Sequence, residues 1–272
     1  MRNSIILSLT LFMTSVMTSG MANANNTALD GAKTPEERGL AIEQKRHELF
    51  KGYGDYQVDL TMTLQNKHGE QSMYRLHSKA LEVKDDGDKS VIVFDYPKDQ
   101  QGIILLVNTH RNEADDQMLY LPSIKRVKRI ASNNASGPFM GSEFAYEDLN
   151  SKEVEKASYR LLREEELNGV PCYVTERVPK SSYSGYTRML VWIDKSDYRV
   201  LQADYYDRKD VLLKTLEYSN FTKYEDRFWR ASNAVMTNHQ TQQKTLMSYQ
   251  NFQFSKGLSD NDFNRNALER IH

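Results

Sequence analysis

The chain has 272 residues, with 36 Lys and Arg against 37 Asp and Glu, and a single cysteine. A net charge of −1 lacks the basic footprint that general nucleic-acid binding requires, which excludes nucleic acid as a partner. Cys172, alone, cannot close an internal disulfide, so the fold has to hold by packing.

Arg2, the apolar run Ile5 to Met17 and the small residues of Ala22-Asn23-Ala24 read as a secretion signal over residues 1–24, cut after Ala24. The run falls short of the roughly 20 apolar residues of a spanning helix. No cysteine stands near the cut, so a soluble periplasmic protein is expected and an acylated lipoprotein is not. Losing Arg2 lowers the net charge by one, to −2. Residues 25–272 are expected to form one large domain, since no linker, repeat or low-complexity tract divides them.

Thr34-Pro35-Glu36-Glu37 has the form of a capping box with Pro at the first helical position. A helix to about Lys51 follows, with Leu40, Ile42, Leu49 and Phe50 as its apolar face and Gly52 and Gly54 after it. The period then changes. Tyr56, Val58, Leu60, Met62 and Leu64 alternate with polar residues, which is a strand with one buried face. His68-Gly69 turns the chain and Met73 to Val83 returns; Asp85-Asp86-Gly87-Asp88 is a hairpin tip. Short apolar runs follow at Val91–Phe94, Ile103–Val107 and Met118–Leu121.

From Pro122 to Asn150 the strand rhythm breaks. Ile124, Val127 and Ile130 fall at helical spacing among Lys125, Arg126, Lys128 and Arg129, followed by Gly137-Pro138-Phe139-Met140-Gly141 and Phe144-Ala145-Tyr146-Glu147-Asp148-Leu149. A connection this long inside a β domain is uncommon and often functional. Strands resume at Ser158–Glu166, Cys172–Pro179, Tyr186–Ile193, Val200–Tyr206, Leu212–Tyr224, Trp229–Asn238 and Lys244–Phe254, with turns at Asn168-Gly169 and Asp207 to Asp210. A short helix is expected over Asp260 to Ile271. About 11–12 strands with connections too short for parallel crossovers make an antiparallel sheet that curls toward a barrel or splits into a sandwich. A curled sheet around a lined cavity is one way to hold an apolar ligand.

The run Leu121-Pro122-Ser123-Ile124-Lys125-Arg126-Val127-Lys128-Arg129-Ile130, then Gly137 to Leu149, resembles the outer membrane lipoprotein-sorting protein family, a branch of the LolA/LolB-like superfamily. Asn168-Gly169-Val170-Pro171-Cys172-Tyr173, Trp192-Ile193-Asp194 and Tyr205-Tyr206-Asp207 fit as well. The resemblance implies a mainly β (α+β) fold: an unclosed antiparallel β-barrel with an N-terminal helix and a helical or loop lid. It implies a periplasmic carrier of lipid or lipoprotein acyl chains toward the outer membrane, and inner-membrane exporters of the resistance-nodulation-division (RND) type as companions. The other reading is an accessory protein that docks on such an exporter without carrying cargo.

On the carrier reading Tyr56, Val58, Leu60, Met62 and Leu64 are cavity wall; the alternative is that they are packed core. Phe139, Met140, Phe144 and Tyr146 are lid residues, or aromatic plugs of an ordinary loop. Lys125, Arg126, Lys128 and Arg129 contact anionic head groups or a partner, or are a solvated face, with Glu143, Glu147 and Asp148 available to neutralise them by ion pairing. The histidines lack metal spacing, Cys172 lacks a basic neighbour, and no nucleophile or phosphate-loop motif is present. No catalytic residue, metal ligand or cofactor is expected, and the protein is read as a non-enzyme.

Overall fold

Helix α1 (Pro35–Phe50) starts where its capping box dictates. Thr34 Oγ1 accepts the Glu37 N–H at 3.1 Å, and the Glu37 carboxylate accepts those of Thr34 and Lys33 in return. The computed structural model describes residue 29 and residues 31–268; the expected signal and its cleavage site lie outside the described residues. Gly39, Ala41, Ile42 and Glu43 are the buried positions of α1. A Cβ on Gly39 would stand 2.6 Å from the Arg160 backbone, so only glycine lets the helix lie this close to the sheet. Leu40, expected on the buried face, is 40% exposed. It sits about 100° around the helix from Gly39, and the close approach at glycine turns it to solvent.

Thirteen strands form one antiparallel sheet: β1 (Asp55–Gln65), β2 (Gln71–Leu81), β3 (Lys89–Tyr96), β4 (Ile104–Asn108), β5 (Asp116–Leu121), β6 (Arg126–Ile130), β7 (Ala157–Leu167), β8 (Val170–Pro179), β9 (Arg188–Asp194), β10 (Val200–Tyr206), β11 (Leu212–Tyr224), β12 (Phe228–Asn238) and β13 (Lys244–Phe254). Their order is β6-β5-β4-β3-β2-β1-β13-β12-β11-β10-β9-β8-β7. Two meanders are thus joined by the pairing of β1 with β13, Met62 opposite Met247. The two edges are β6 and β7, which follow one another in the chain. The sheet is an unclosed barrel, and residues 131–156 bridge its open seam.

The strand beyond those expected is β6. The basic run is not helical: Pro122–Ile124 makes one 3₁₀ turn, Lys125 takes a left-handed φ of 51°, and Arg126 pairs back onto Leu121. Seven residues with apolar positions three apart fit a helical turn or a hairpin equally, and pairing to β5 decides it.

One face of the sheet carries the main core. Val58, Leu60 and Met62 of β1 join Leu76, Phe94, Leu105, Leu119, Val191, Tyr205, Leu216, Met236 and Met247 in one cluster with Ile42 of α1. The outer face is covered in two smaller places. Val91, Val93, Ile104 and Leu106 pack against Phe263 and Leu268, which explains why β3 and β4 read as continuous apolar runs: both faces are buried. Cys172 packs with Val174, Leu190 and Trp192; burial raises its thiol pKa. The expected C-terminal helix is interrupted within the described residues. A 3₁₀ turn (Asp260–Asp262) and α2 (Arg265–Leu268) are separated by Phe263, whose ring is inserted under the sheet, and residues beyond 268 lie outside the described residues.

Candidate functional site: an inner face under a latched segment

The inner face of an open barrel needs a cover, and segment 137–149 supplies it. Pro138 and Ala145 form a single β-bridge, and Phe139 N donates to Phe144 O at 2.7 Å. Between them Met140 (φ 48°) and Gly141 (φ 75°) take successive left-handed conformations, so the chain doubles back and drives Phe139 into the barrel. Phe139 is fully buried, its ring 5.9 Å from Phe94 and 5.7 Å from Tyr146, edge-on to the latter.

The expected wall and lid residues therefore meet. Val58, Leu60, Met62, Phe139 and Phe144 belong to one buried cluster, and Tyr56, Leu64, Met140 and Tyr146 pack against it. All five wall residues share the inner face, as their alternation requires. At one end of the barrel Tyr56 joins Phe252 and Phe254, and the Arg230 guanidinium lies 5.5 Å from its ring centre.

The polar attachments of the segment are buried. Lys214 on β11 is 5% exposed; its Nζ donates to the Glu143 carbonyl at 2.7 Å and to Asp148 Oδ2 at 3.1 Å. Asp148 also accepts the Tyr186 hydroxyl at 2.9 Å and the Ala145 N–H at 2.8 Å. Burial, with the negative charge of Asp148 next in weight, holds the Tyr186 hydroxyl well above its ordinary pKa. Glu143 accepts from Asn238 Nδ2 at 2.7 Å, and its N–H donates to Thr245 Oγ1 at 2.9 Å. Glu147 accepts from Ser184 Oγ and from the Gly185 N–H. Together these form a latch between the cover and strands β11, β12 and β13 and the loop before β9. Lone polar residues on strands carry no sequence signal for it, because the partners are up to 102 positions apart.

The basic cluster lies elsewhere. Lys125, Arg126, Lys128 and Arg129 are all exposed on and beside edge strand β6. Arg129 pairs with Asp116. Glu143, Glu147 and Asp148 do not neutralise the cluster, contrary to expectation; they turn inward to the latch. Among the described residues no salt bridge involves Lys125, Arg126 or Lys128, no three His, Cys, Asp or Glu residues are placed to hold a metal, and no helix is long and apolar enough to cross a membrane.

Beside the latch, between the sheet's two edges, lies a cavity of about 540 Å³. Ile130, Tyr186 and Met189 line it and belong also to the inner-face cluster. The remainder of its lining is largely polar, including Gln117, Lys152 and Arg177.

Solved structures share this open antiparallel barrel. A LolA superfamily protein from Nitrosomonas europaea shares the fold with a TM-score of 0.68 at 20% identity, over 87% of this chain and 100% of that chain. A DUF1329 family protein from Desulfovibrio piger is nearer, with a TM-score of 0.82 at 28% identity over 87% of this chain and 100% of that chain. A domain from Vibrio parahaemolyticus, provisionally named an outer membrane lipoprotein-sorting protein, is 48% identical with a TM-score of 0.85, covering 86% of this chain and 100% of its own. The family model that matches residues 86–270 is described only as an uncharacterized protein. Among curated proteins nothing matches. The chain belongs to the outer membrane lipoprotein-sorting protein family.

Proposed function

We propose that the protein is a periplasmic carrier that takes lipid or lipoprotein acyl chains onto the inner face of its open barrel and delivers them toward the outer membrane, with segment 137–149 as a displaceable cover. The observation that carries this reading is the union of wall and cover in one apolar cluster. The inner face is closed by an irregular segment held by a single β-bridge and a polar latch, where a sandwich would use a second sheet. Phe139 and Phe144 fill the space that an acyl chain would take. Burying each such side chain is worth about 1.5–3 kcal/mol, whereas a C16 chain gains on the order of 10 kcal/mol at about 0.8 kcal/mol per CH₂. Exchange of cover for cargo is therefore thermodynamically open even after the ordering cost of the chain. The lipoprotein-sorting name of the Vibrio parahaemolyticus relative supports the same cargo class.

Native mass spectrometry of gently purified protein is the direct test. Co-purified lipid, or saturable uptake of a fluorescent fatty acid, is expected; repeated absence of both refutes the carrier.

The exposed basic edge favours a second reading, docking on an RND-type exporter without cargo. Edge strand β6 offers an open backbone row flanked by Lys125, Arg126 and Lys128. Cross-linking from Lys125 or Lys128 to a single exporter, in protein free of lipid, supports this reading over the first.

A further inference from the structure

The seam cavity joins two environments. On one side Ile130, Tyr186 and Met189 continue the apolar inner face; on the other stand charged side chains from three separate stretches of chain. Of the five carboxylates that line it, all but the exposed Glu113 are occupied, Glu155 by Arg111. Asp148 is held by Lys214 and Tyr186, Glu147 by Ser184 and Gly185, and Asp115 by Lys156 and Asn150. Its cations are less so. Among the described residues Lys152, Arg177 and Lys180 make no salt bridge. Lys152 Nζ donates to the Glu147 carbonyl at 2.9 Å and Lys180 Nζ to the Glu155 carbonyl at 2.7 Å, both uncharged acceptors. Arg177 reaches the Tyr159 hydroxyl, yet its Nε is buried without a hydrogen-bond partner. Gln117, 2% exposed, gives its amide N–H groups to Tyr146 O and Asn150, and its Oε1 is left without a donor. A buried polar atom left unpaired costs about 1–3 kcal/mol, so a turn of either side chain toward the cavity that lets a ligand complete it is rewarded.

The unpaired donor asks for an anion and the unpaired acceptor asks for an N–H or O–H. A volume of about 540 Å³ is within the range of small-ligand sites. Resting on the carrier reading, we propose that the seam cavity takes the headgroup of an amphiphile, a phosphate with a hydrogen-bond donor beside it as in phosphoethanolamine, while the acyl chain runs past Ile130 and Met189 onto the inner face. The phosphate oxygens accept from Arg177, Lys152 and Lys180, and the headgroup's donor serves Gln117 Oε1. Charge-assisted hydrogen bonds of this type are about twice as strong as neutral ones, which gives the site discrimination among lipids of equal chain length. Lys152 is poised for the role: burial and the neighbouring Arg177 charge lower its pKa to about 8, a penalty that a bound phosphate relieves.

The test uses delipidated full-length protein and displacement of a fluorescent fatty acid. Four competitors are compared: lysophosphatidylethanolamine, lysophosphatidylcholine and uncharged fatty alcohol of one chain length, and O-phosphoethanolamine without a chain. The ethanolamine lysolipid is expected to compete about tenfold better than the fatty alcohol and about threefold better than the choline lysolipid, whose headgroup has no N–H. K152Q and R177Q each remove about tenfold for the ethanolamine lysolipid and leave the uncharged fatty alcohol unchanged. K180Q, at an exposed position where folding is not at risk, removes about threefold by the same rule. Equal competition by lysolipid and fatty alcohol, or unchanged lysolipid affinity in K152Q and K180Q, overturns the headgroup site. So does a chainless compound that binds as tightly as the lipid, since the cavity then serves a free phosphate ester. Failure of the carrier reading is seen separately, as no uptake of any acyl probe by the unmodified protein.

Discussion

Helix α1 and segment 137–149 both cover the same barrel, and they are fastened by opposite means. The helix is regular, capped by its own sequence, and seated through a glycine so close to Arg160 that nothing can be inserted between them. The cover is irregular, holds one β-bridge, and is fixed by buried charges and amides whose hydrogen bonds reach into β11, β12 and β13. A close-packed contact has no second arrangement of similar energy, whereas a polar latch can exchange its partners for other polar groups or for water. The carrier proposal rests on this contrast, with permanence in the helix and movement in the cover.

That contrast can be broken most forcefully at Gly39. Gly39→Val places side-chain atoms inside the Arg160 backbone, and a loss of about 3–5 kcal/mol in chemical denaturation is expected, with the helix displaced from β7. An unchanged midpoint would show that the helix seat is loose. On the cover, Phe139→Ala vacates a fully buried ring and is expected to cost about 3 kcal/mol, less than the seat because the segment can relax into the space. Asp148→Asn leaves Lys214 buried without its counter-charge and costs about 2–3 kcal/mol. It also speeds proteolytic cleavage within 137–149 while α1 stays protected; cleavage of both at one rate would erase the distinction.

Smaller effects come from pH. The Lys152 ammonium faces Arg177 on β8, Glu147 and Asp148 in the cover, and Asp115 before β5, and its pKa is lowered to about 8. Its positive form is therefore lost between pH 7 and 9, and phosphate-headgroup affinity should fall about tenfold over that range while binding of an uncharged fatty alcohol holds. His47 on α1 titrates the other way in its consequence for folding. Burial and the adjacent Lys51 and Arg46 lower its pKa from 6.5 to about 4. A depressed pKa means the unfolded chain binds the proton first. Stability present above pH 6.5 is then lost as the pH falls toward 4, on the order of 1 kcal/mol for this partly exposed ring. His47→Gln should flatten that slope in acid titrations followed by denaturant unfolding.

Local signals carried most of the fold. The capping box at Thr34, the alternation of Tyr56 to Leu64 and the Asn168-Gly169 turn each act over a few residues, and each is found as its chemistry requires. What escaped depends on contacts that no short window contains. β6 is a strand only because β5 lies beside it, and Leu40 is exposed only because Gly39 meets Arg160. The wall and cover residues were legible as apolar or aromatic residues in suggestive places. Lys214, Asn238 and Thr245 were not, since a single polar residue on a strand reads the same whether it faces solvent or seizes a buried carboxylate. The seam cavity is the extreme case, assembled from β5, β8 and the 131–156 connection once the sheet has curled.

The central claim is that cargo replaces the cover on the inner face. Hydrogen exchange at single-amide resolution, with and without a saturating lysolipid, reads this directly at Phe139 and Tyr146, whose N–H groups bond Phe144 O and Gly137 O inside the segment. Lipid should accelerate both amides at least tenfold while those of α1 and β1 keep or gain protection. Lipid bound with the Phe139 and Tyr146 amides as slow as before would place the cargo elsewhere and contradict the account.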